Sequence, residues 1–407
     1  MRKKPNKALI VLFCTLLLDT ISIGILIPIL PIIFTDESSP AFLLHGYSVG
    51  QQYFIAGAIT AVFGIMQFIA APLLGELSDI YGRKKFLTMS VAILAISNLL
   101  FGFGIEISSL FLLFFSRTIA GIAGANISIA QASIADVSKP EDRAKNFGLI
   151  GAAFGIGFIL GPFLGGIISQ TFSYPAAPFW FAGALGIINV VFISTFLPET
   201  RNLEKKVQHS FDILKGLRNI KLAFRDKNAA PVYLTNFLYM SGFTFFTTFI
   251  SILLTARHHF SSGSIGIFFA IVGLCIALTQ IFVVGALAKR YPEKILMLWG
   301  TPIVACTLFA YPFVGPVALL YVLIPIMAIP QGVFFASVSA LISKSVSEDK
   351  QGAALGINGS LMALAQGVVP LVAGVGTGVI GLTSPFIAGA VLSSDAHREE
   401  YACRSRW

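Results

Sequence analysis

The chain has 407 residues, 56% of them hydrophobic and only 12% charged, with mean hydropathy +0.84 and net charge +9. A soluble domain is about 25% charged, so this composition excludes a soluble enzyme and points to an integral membrane protein whose first partner is the lipid bilayer. Cys14, Cys275, Cys306 and Cys403 show neither metal-ligand spacing nor a disulfide framework, no cofactor motif is present, and the basic excess fits membrane topology rather than nucleic acid.

Hydropathy marks about twelve spans, near 8–34, 51–74, 86–105, 108–135, 147–169, 179–197, 231–255, 263–288, 295–314, 317–343, 352–376 and 381–394. A bilayer core of roughly 30 Å needs about 20 apolar residues in a helix. The basic N-terminus followed by an apolar run has the outline of a signal peptide. The run continues to Phe34 and contains Asp19, Pro28 and Pro31, so it reads as a first transmembrane helix.

All of the 28 Lys and Arg except Arg117 and Arg257 fall at alternate joints: before the first span, after the even-numbered spans, and within residues 198–230. The opposite loops 35–50 and 170–178 have none. The positive-inside rule then puts both termini and the 198–230 segment in the cytoplasm of a plasma (inner) membrane protein. Residues 198–230 form the only long polar stretch and divide the chain into halves, 1–197 and 231–407. Phe211, Leu214, Leu217 and Leu222 are spaced loosely for an amphipathic helix within this linker.

The halves repeat weakly. Gly124 and Gly332 are 208 residues apart, as are Gly148 and Gly356, Pro162 and Pro370, and Gly166 and Gly374. Parallel six-span repeats are the plan of one large transporter class, with the site at the repeat interface. The last span is weaker: 14 residues from Gly381 to Ser394 cover only about 21 Å, and a polar stretch follows. It reads either as a truncated or frame-shifted end or as a short helix buried against its neighbours.

Charges inside spans are costly and mark functional positions. Asp19 lies about 11 residues, roughly 17 Å, from one end of the first span. Arg117 lies about nine residues, roughly 14 Å, from the other end of the fourth. In a core of about 30 Å these depths nearly coincide, so the two could pair, take up a proton and exchange partners, or form a static salt bridge. Gly148, Gly157, Gly161, Pro162, Gly165 and Gly166 strip one helix face in the fifth span for close packing. Gln67, Asn126, Gln131, Asn236, Gln331 and Asn358 sit in apolar runs, where each either lines a substrate cavity or bridges helices. Phe243 belongs to an aromatic-rich seventh span that could stack on a flat apolar ligand. No nucleophile–His–acid set or metal cluster stands in the sequence, so it does not read as an enzyme.

Between the second and third spans stands Gly75-Glu-Leu-Ser-Asp79-Ile-Tyr-Gly82-Arg83-Lys84-Lys85. With Leu18-Asp19-x4-Gly24-x3-Pro28-x2-Pro31, Arg117-x3-Gly121-x2-Gly124 and the glycines from Gly148 to Gly166, it resembles the major facilitator superfamily, in its drug:proton antiporter branch. The N-terminal half is most similar to tetracycline-efflux proteins, through Ser133-Ile-Ala-Asp136 and Phe147-Gly148-x2-Gly151. That resemblance implies an all-α fold of two pseudo-symmetric six-helix halves. It implies a monomeric exporter that exchanges small hydrophobic compounds for protons, with Asp19 and Arg117 in proton coupling. It also implies a gating latch of Gly75, Asp79, Gly82, Arg83, Asp136 and Arg143, with Asp79 capping the eleventh helix near Gly352. The chain departs from the family at Ile96-Ser97-Asn98 and in the ninth span, which lack its acids. The second copy of the signature loop is degraded at Lys289, Pro292 and Glu293. The alternatives are a sugar or metabolite facilitator of the same fold, and a non-transporting membrane sensor.

Overall fold

The structure is a computed structural model describing residues 7–124, 126–138, 143–201, 218, 221, 229–344 and 351–403. Its described residues are almost entirely helical, without strands. The N-terminal half contains α1 (Lys7–Gly24), α2 (Leu30–Phe34), α3 (Val49–Tyr81), α4 (Arg83–Glu106), α5 (Leu110–Ala123), α6 (Asn126–Val137), α7 (Arg143–Phe172) and α8 (Ala177–Phe196). The C-terminal half contains α9 (Ala230–His258), α10 (Ser262–Leu278), α11 (Val284–Ala288), α12 (Glu293–Ala310), α13 (Val317–Lys344), α14 (Gln351–Ile380) and α15 (Ser384–Cys403).

Among the described residues, eleven helical segments are long and apolar enough to cross a membrane. Several are interrupted where local chemistry demands it. Pro31 sits in the first turn of α2, where its missing N–H costs nothing. In the fourth span α5 ends at Ala123, with Gly124 as its C-cap, and α6 begins at Asn126. The eighth passes from α10 to α11 through a π-helical turn at Thr279–Val283.

The twelfth helix departs from expectation. It is not a 14-residue piece ending at Ser394 but a 20-residue helix, α15, about 30 Å long. The polar stretch after Ser394 continues it, because Ala396 is fully buried while Asp395 and Arg398 pair on the exposed side at 3.6 Å. A hydropathy window averages these two sides and loses the helix. The linker's proposed amphipathic residues, Phe211, Leu214, Leu217 and Leu222, lie outside the described residues.

The internal repeat is visible at atomic detail. Gln67 Nε2 donates to the Gly124 carbonyl at 2.9 Å, and Gln280 Nε2 donates to the Gly332 carbonyl at 2.9 Å. In the first case the glutamine serves the carbonyl at the C-cap of α5. In the second it leaves the π-helical turn to meet α13.

Two seams join the halves: α3 against α14, and α7 against α10. Both are tight from the end opposite the Arg83 turn to the middle of the spans, where a Cβ on Gly64 would lie 2.5 Å from Gly367 N. A Cβ on Gly374 would lie 2.8 Å from the Tyr53 carbonyl oxygen, and one on Gly378 would lie 3.0 Å from Gly50 Cα. A Cβ on Gly273 would lie 3.0 Å from Ile159 Cα, and one on Gly266 2.8 Å from the Pro162 carbonyl oxygen. At the same end, the Ser261 hydroxyl donates to Gln170 Oε1 across the halves at 3.3 Å. A shared apolar cluster there includes Ile29, Ile33 and Phe34 from one half and Phe249 and Leu253 from the other. Toward the Arg83 face the seams part: a Cβ on Gly75, Gly151, Gly155, Gly285, Gly356 or Gly359 would meet nothing within 4 Å. Among the described residues the halves thus pack closely from the far membrane face to mid-span and loosely at the face carrying the Arg83 turn, where α6 still touches α14, so that the outline is a wedge.

Candidate transport and gating sites

The turn between α3 and α4 is built around Arg83, which is 5% exposed. Its Nη2 donates to Asp79 Oδ1 at 2.5 Å and its Nε to Asp136 Oδ2 at 3.2 Å. Its Nη1 donates to Ser78 Oγ at 2.7 Å and to the Gly75 carbonyl at 3.4 Å. A planar guanidinium with five donors suits this convergence; the point charge of a lysine does not. The cation thus ties the end of α3 to the end of α6.

Gly82 is required by the chain's path, since its φ of +103° is a region L side chains rarely enter. A Cβ there would also lie 2.6 Å from Glu199 Oε2. Glu199 is the main site residue that sequence reasoning missed. It follows α8 and accepts hydrogen bonds from the Arg83 N–H at 2.9 Å and the Lys84 N–H at 3.2 Å. A carboxylate there satisfies orphan donors of α4 and complements the helix dipole. Arg201 adds a contact to Asp79 Oδ1 at 3.7 Å. The available signal was Pro198-Glu199-Thr200-Arg201, a compact charged group ending the sixth span beside the signature loop's face.

Asp79 is held within its own half by Arg83 and Arg201, with no contact to α14 among the described residues. Gly352 lies in the first turn of α14, and nothing is described of its surroundings. Arg143 opens α7, but its side chain lies outside the described residues, as does the environment of Gly148.

The intramembrane charges fall differently from the expected pair. Asp19 Oδ2 accepts from Asn126 Nδ2 at 2.5 Å, and both residues are buried. Arg117 instead lies over the Phe101 ring, its Cζ 4.4 Å from the centroid. Its Nε and Nη2 have no hydrogen-bond partner among the described residues. Depth counting failed because it fitted both residues into a core of about 30 Å, whereas the fourth span, at 28 residues, is about 42 Å long if straight. Asn126, nine residues and about 13.5 Å beyond Arg117, reaches the level of Asp19 instead.

The glycines of α7 divide between two faces. Gly157, Gly161 and Gly165 recur every four residues and face α1: a Cβ on Gly161 would lie 2.9 Å from Gly24 Cα, and one on Gly165 2.7 Å from the Ile25 carbonyl oxygen. Pro162 and Gly166, also four apart, meet α10 across the halves. One helix therefore serves as both an internal strut and a hinge surface.

The uncharged polar residues are mostly spent between helices. Asn236 Nδ2 donates to Asn358 Oδ1 at 2.5 Å. The Tyr239 hydroxyl donates to Gln331 Oε1, and the Tyr239 ring stacks on Phe334 at 3.6 Å. Phe243 stacks with Phe246 at 5.9 Å and is 9% exposed. Gln131 is half-buried, with no hydrogen bond among the described residues. The interior is therefore charged in the N-terminal half and neutral, aromatic and amide-rich along α9.

Comparison with known proteins accords with this geometry. The model of the Major Facilitator Superfamily matches residues 12–252 and again 232–394, one match for each half with a short overlap. The chain is 29% identical over 405 residues to the tetracycline resistance protein, class C, of Escherichia coli, covering 97% of this chain and 91% of that protein. It is 28% identical over 425 residues to the human major facilitator superfamily domain-containing protein 10, covering 91% and 88%. The crystal structure of that human protein, described as the organic anion transporter MFSD10 (TETRAN), superposes with a TM-score of 0.74 at 25% identity, covering 98% of this chain and all of that one. A bacterial homologue of the human lysosomal transporter Spinster, in an inward-facing and occupied conformation, superposes with a TM-score of 0.75 at 13% identity over 100% and 98% of the chains, which speaks to fold alone.

Proposed function

Because the chain belongs to the Major Facilitator Superfamily and is a multi-pass membrane transporter rather than an enzyme, we propose that it exports small, fairly hydrophobic compounds in exchange for protons by alternating access. The observation that carries the reading is Asp19, a buried carboxyl held by Asn126 in the half that also holds the Arg83 turn. A carboxyl in a low-dielectric interior with one amide partner takes up a proton readily when the path to it opens. Arg117, nine residues from Asn126 on the fourth span and with two donors that have no partner among the described residues, offers the ionised state a partner after a helix shift.

The wedge supplies the alternation. With the basic joints cytoplasmic, the open face is the inner one and the closed seams face outward. Arg83, Asp79, Asp136, Glu199 and Arg201 hold the ends of α3, α4, α6 and α8 as one body. When the halves rock and the inner face closes, Asp79 comes up to the start of α14, where a helix N-terminus favours an anion. Arg143 exchanges partners with this group. Tetracycline resistance proteins among the relatives support drug export; the missing acids of the third and ninth spans argue for cargo other than a metal chelate.

A second reading has one observation in its favour. The unpaired, buried guanidinium of Arg117 would welcome an anionic cargo, and MFSD10 is described as an organic anion transporter. The deciding experiment is an efflux panel in a drug-sensitive bacterial strain, with neutral, cationic and anionic compounds, with and without a proton uncoupler. Uncoupler-sensitive export of neutral or cationic compounds, lost in Asp19→Asn, supports the first reading. Export of anions alone, lost in Arg117→Ala but not Asp19→Asn, supports the second.

A further inference from the structure

The ninth span carries no acid at its centre, yet α12 contains a fully buried hydroxyl, Thr301. The missing carboxyl arrives from the neighbouring helix. Glu400 on α15 brings Oε2 to 3.2 Å from Thr301 Oγ1, and His397, one turn earlier, brings Nδ1 to 3.4 Å from the same oxygen. Thr301 Oγ1 also lies 3.2 Å from the Met297 carbonyl. We infer that Glu400, Thr301 and His397 form a second proton-binding site, in the C-terminal half, at the seam between α12 and α15.

A threonine hydroxyl has one proton to give and two lone pairs to receive. When Glu400 is ionised, Thr301 gives its proton to the carboxylate, leaves the Met297 carbonyl to its helical N–H alone, and accepts Nδ1–H from His397. When Glu400 is protonated, the carboxyl donates to Thr301 Oγ1, and Thr301 returns its own proton to the Met297 carbonyl. The hydroxyl is satisfied in either state, so the site can pass between them by rotating one bond. The other carboxyl oxygen, Oε1, is sealed from solvent and has no hydrogen-bond partner among the described residues. An ionised group would leave part of a negative charge on that atom, whereas a protonated one leaves only a carbonyl oxygen, which is far less costly to bury.

Among the described residues no fixed charge competes; Arg404 and Arg406, which follow Glu400 in the chain, lie outside them. The helices packed on α15 are α9, α12 and α14. Helix α14 contains no ionisable charge, and those of α9 are Arg257 and His258 at its far end. Helix α12 has Glu293 and Lys294 in its first turn, about two turns from Thr301. Tyr239 of α9 lies within electrostatic reach of Glu400 and gives its hydroxyl proton to Gln331 Oε1. On α15 itself, Asp395 and Arg398 pair with each other at 3.6 Å on the exposed side, and Glu399 adjoins them. The ligand that fits is a proton.

The test uses the full chain, purified in detergent with no transported compound present, so its outcome is independent of the proposed cargo and direction. Infrared difference spectra are recorded across a pH titration, following the carbonyl stretch of protonated carboxyls. The wild type should show a component that Glu400→Gln loses and Asp19→Asn keeps. Thr301→Val, which retains the carboxyl and removes its partner, should shift that component's frequency and move its midpoint. His397→Gln should move the midpoint without removing the component. If Glu400→Gln leaves the spectrum unchanged, or if it does not fold and Thr301→Val shifts nothing, the site does not exist.

Discussion

Replacing Gly374 by alanine should redistribute the molecule between its two conformations without harming its fold. Gly374 lies on α14 in the closed part of the seam with α3. An added Cβ would stand 2.8 Å from the Tyr53 carbonyl oxygen and 3.1 Å from Phe54 Cα, both backbone atoms that cannot swing aside. Ordinary contact is about 3.5 Å, so the two helices must part by roughly half an ångström or more. Overpacking of this kind costs about 1–3 kcal/mol. The cost falls only on the conformation shown here, because the seam parts when the wedge closes at its other face. At about 1.4 kcal/mol per factor of ten, the ratio of open to closed at the Arg83 face should fall between about fivefold and about a hundredfold. The assay is pulsed electron–electron distance measurement between spin labels at Tyr81 and Tyr291, both exposed at that face. Gly161→Ala is the control: its Cβ would lie 2.7 Å from the Ile21 carbonyl oxygen, but the clash is inside one half and burdens both conformations equally. Gly374→Ala should shift population to the shorter distance, and Gly161→Ala should lower thermal stability with the distribution unchanged. A folded Gly374→Ala with the wild-type distribution would falsify the seam argument, as would an equal shift in the control.

Other outcomes follow from the Arg83 turn and the repeat. Asp79→Asn should abolish transport in vesicles while membrane insertion stays normal; transport at the wild-type rate would remove Asp79 from the gate. Arg83→Lys loses the fork that reaches Asp79, Asp136 and Ser78 together and should behave nearly as badly, whereas a surface Lys84→Arg should be silent in the same vesicles. Gly82→Ala forces an L residue to φ +103° and should lower stability by about 1–2 kcal/mol, read as an earlier melt in detergent. Gln67→Ala and Gln280→Ala remove equivalent bonds in the two halves, so each should cost about 1 kcal/mol; a large difference between them would show that the repeat is geometric but not energetic.

What was legible in the sequence depended on whether the information was local. The Arg83 turn could be read because its glycines, acid and base occupy eleven consecutive residues, and the glycines at 157, 161 and 165 because helical spacing alone makes a stripe. The repeat was legible from equal spacing of Gly124 and Gly332. That Gln67 and Gln280 serve those same two carbonyls was not, because helix ends and π-helical turns are not visible in hydropathy. Glu199 escaped for a similar reason: it lies more than a hundred residues from the N–H groups it caps. Asp19 was rightly singled out as a buried charge, but its partner was misassigned because a span longer than the bilayer core does not convert residue count to depth. The twelfth helix was shortened because one buried and one exposed face average to a polar window, which also hid Glu400 and His397.

The most direct test of proton-coupled export is made in proteoliposomes holding the full chain and a pH-sensitive dye. They are preloaded with a compound identified in the efflux panel and diluted into compound-free buffer at equal pH. Outward movement of the compound must draw protons in, so the lumen should acidify with wild type, not with Asp19→Asn, and not when an uncoupler is present. Compound efflux at the wild-type rate without any change in luminal pH would contradict the account and leave a facilitator in its place.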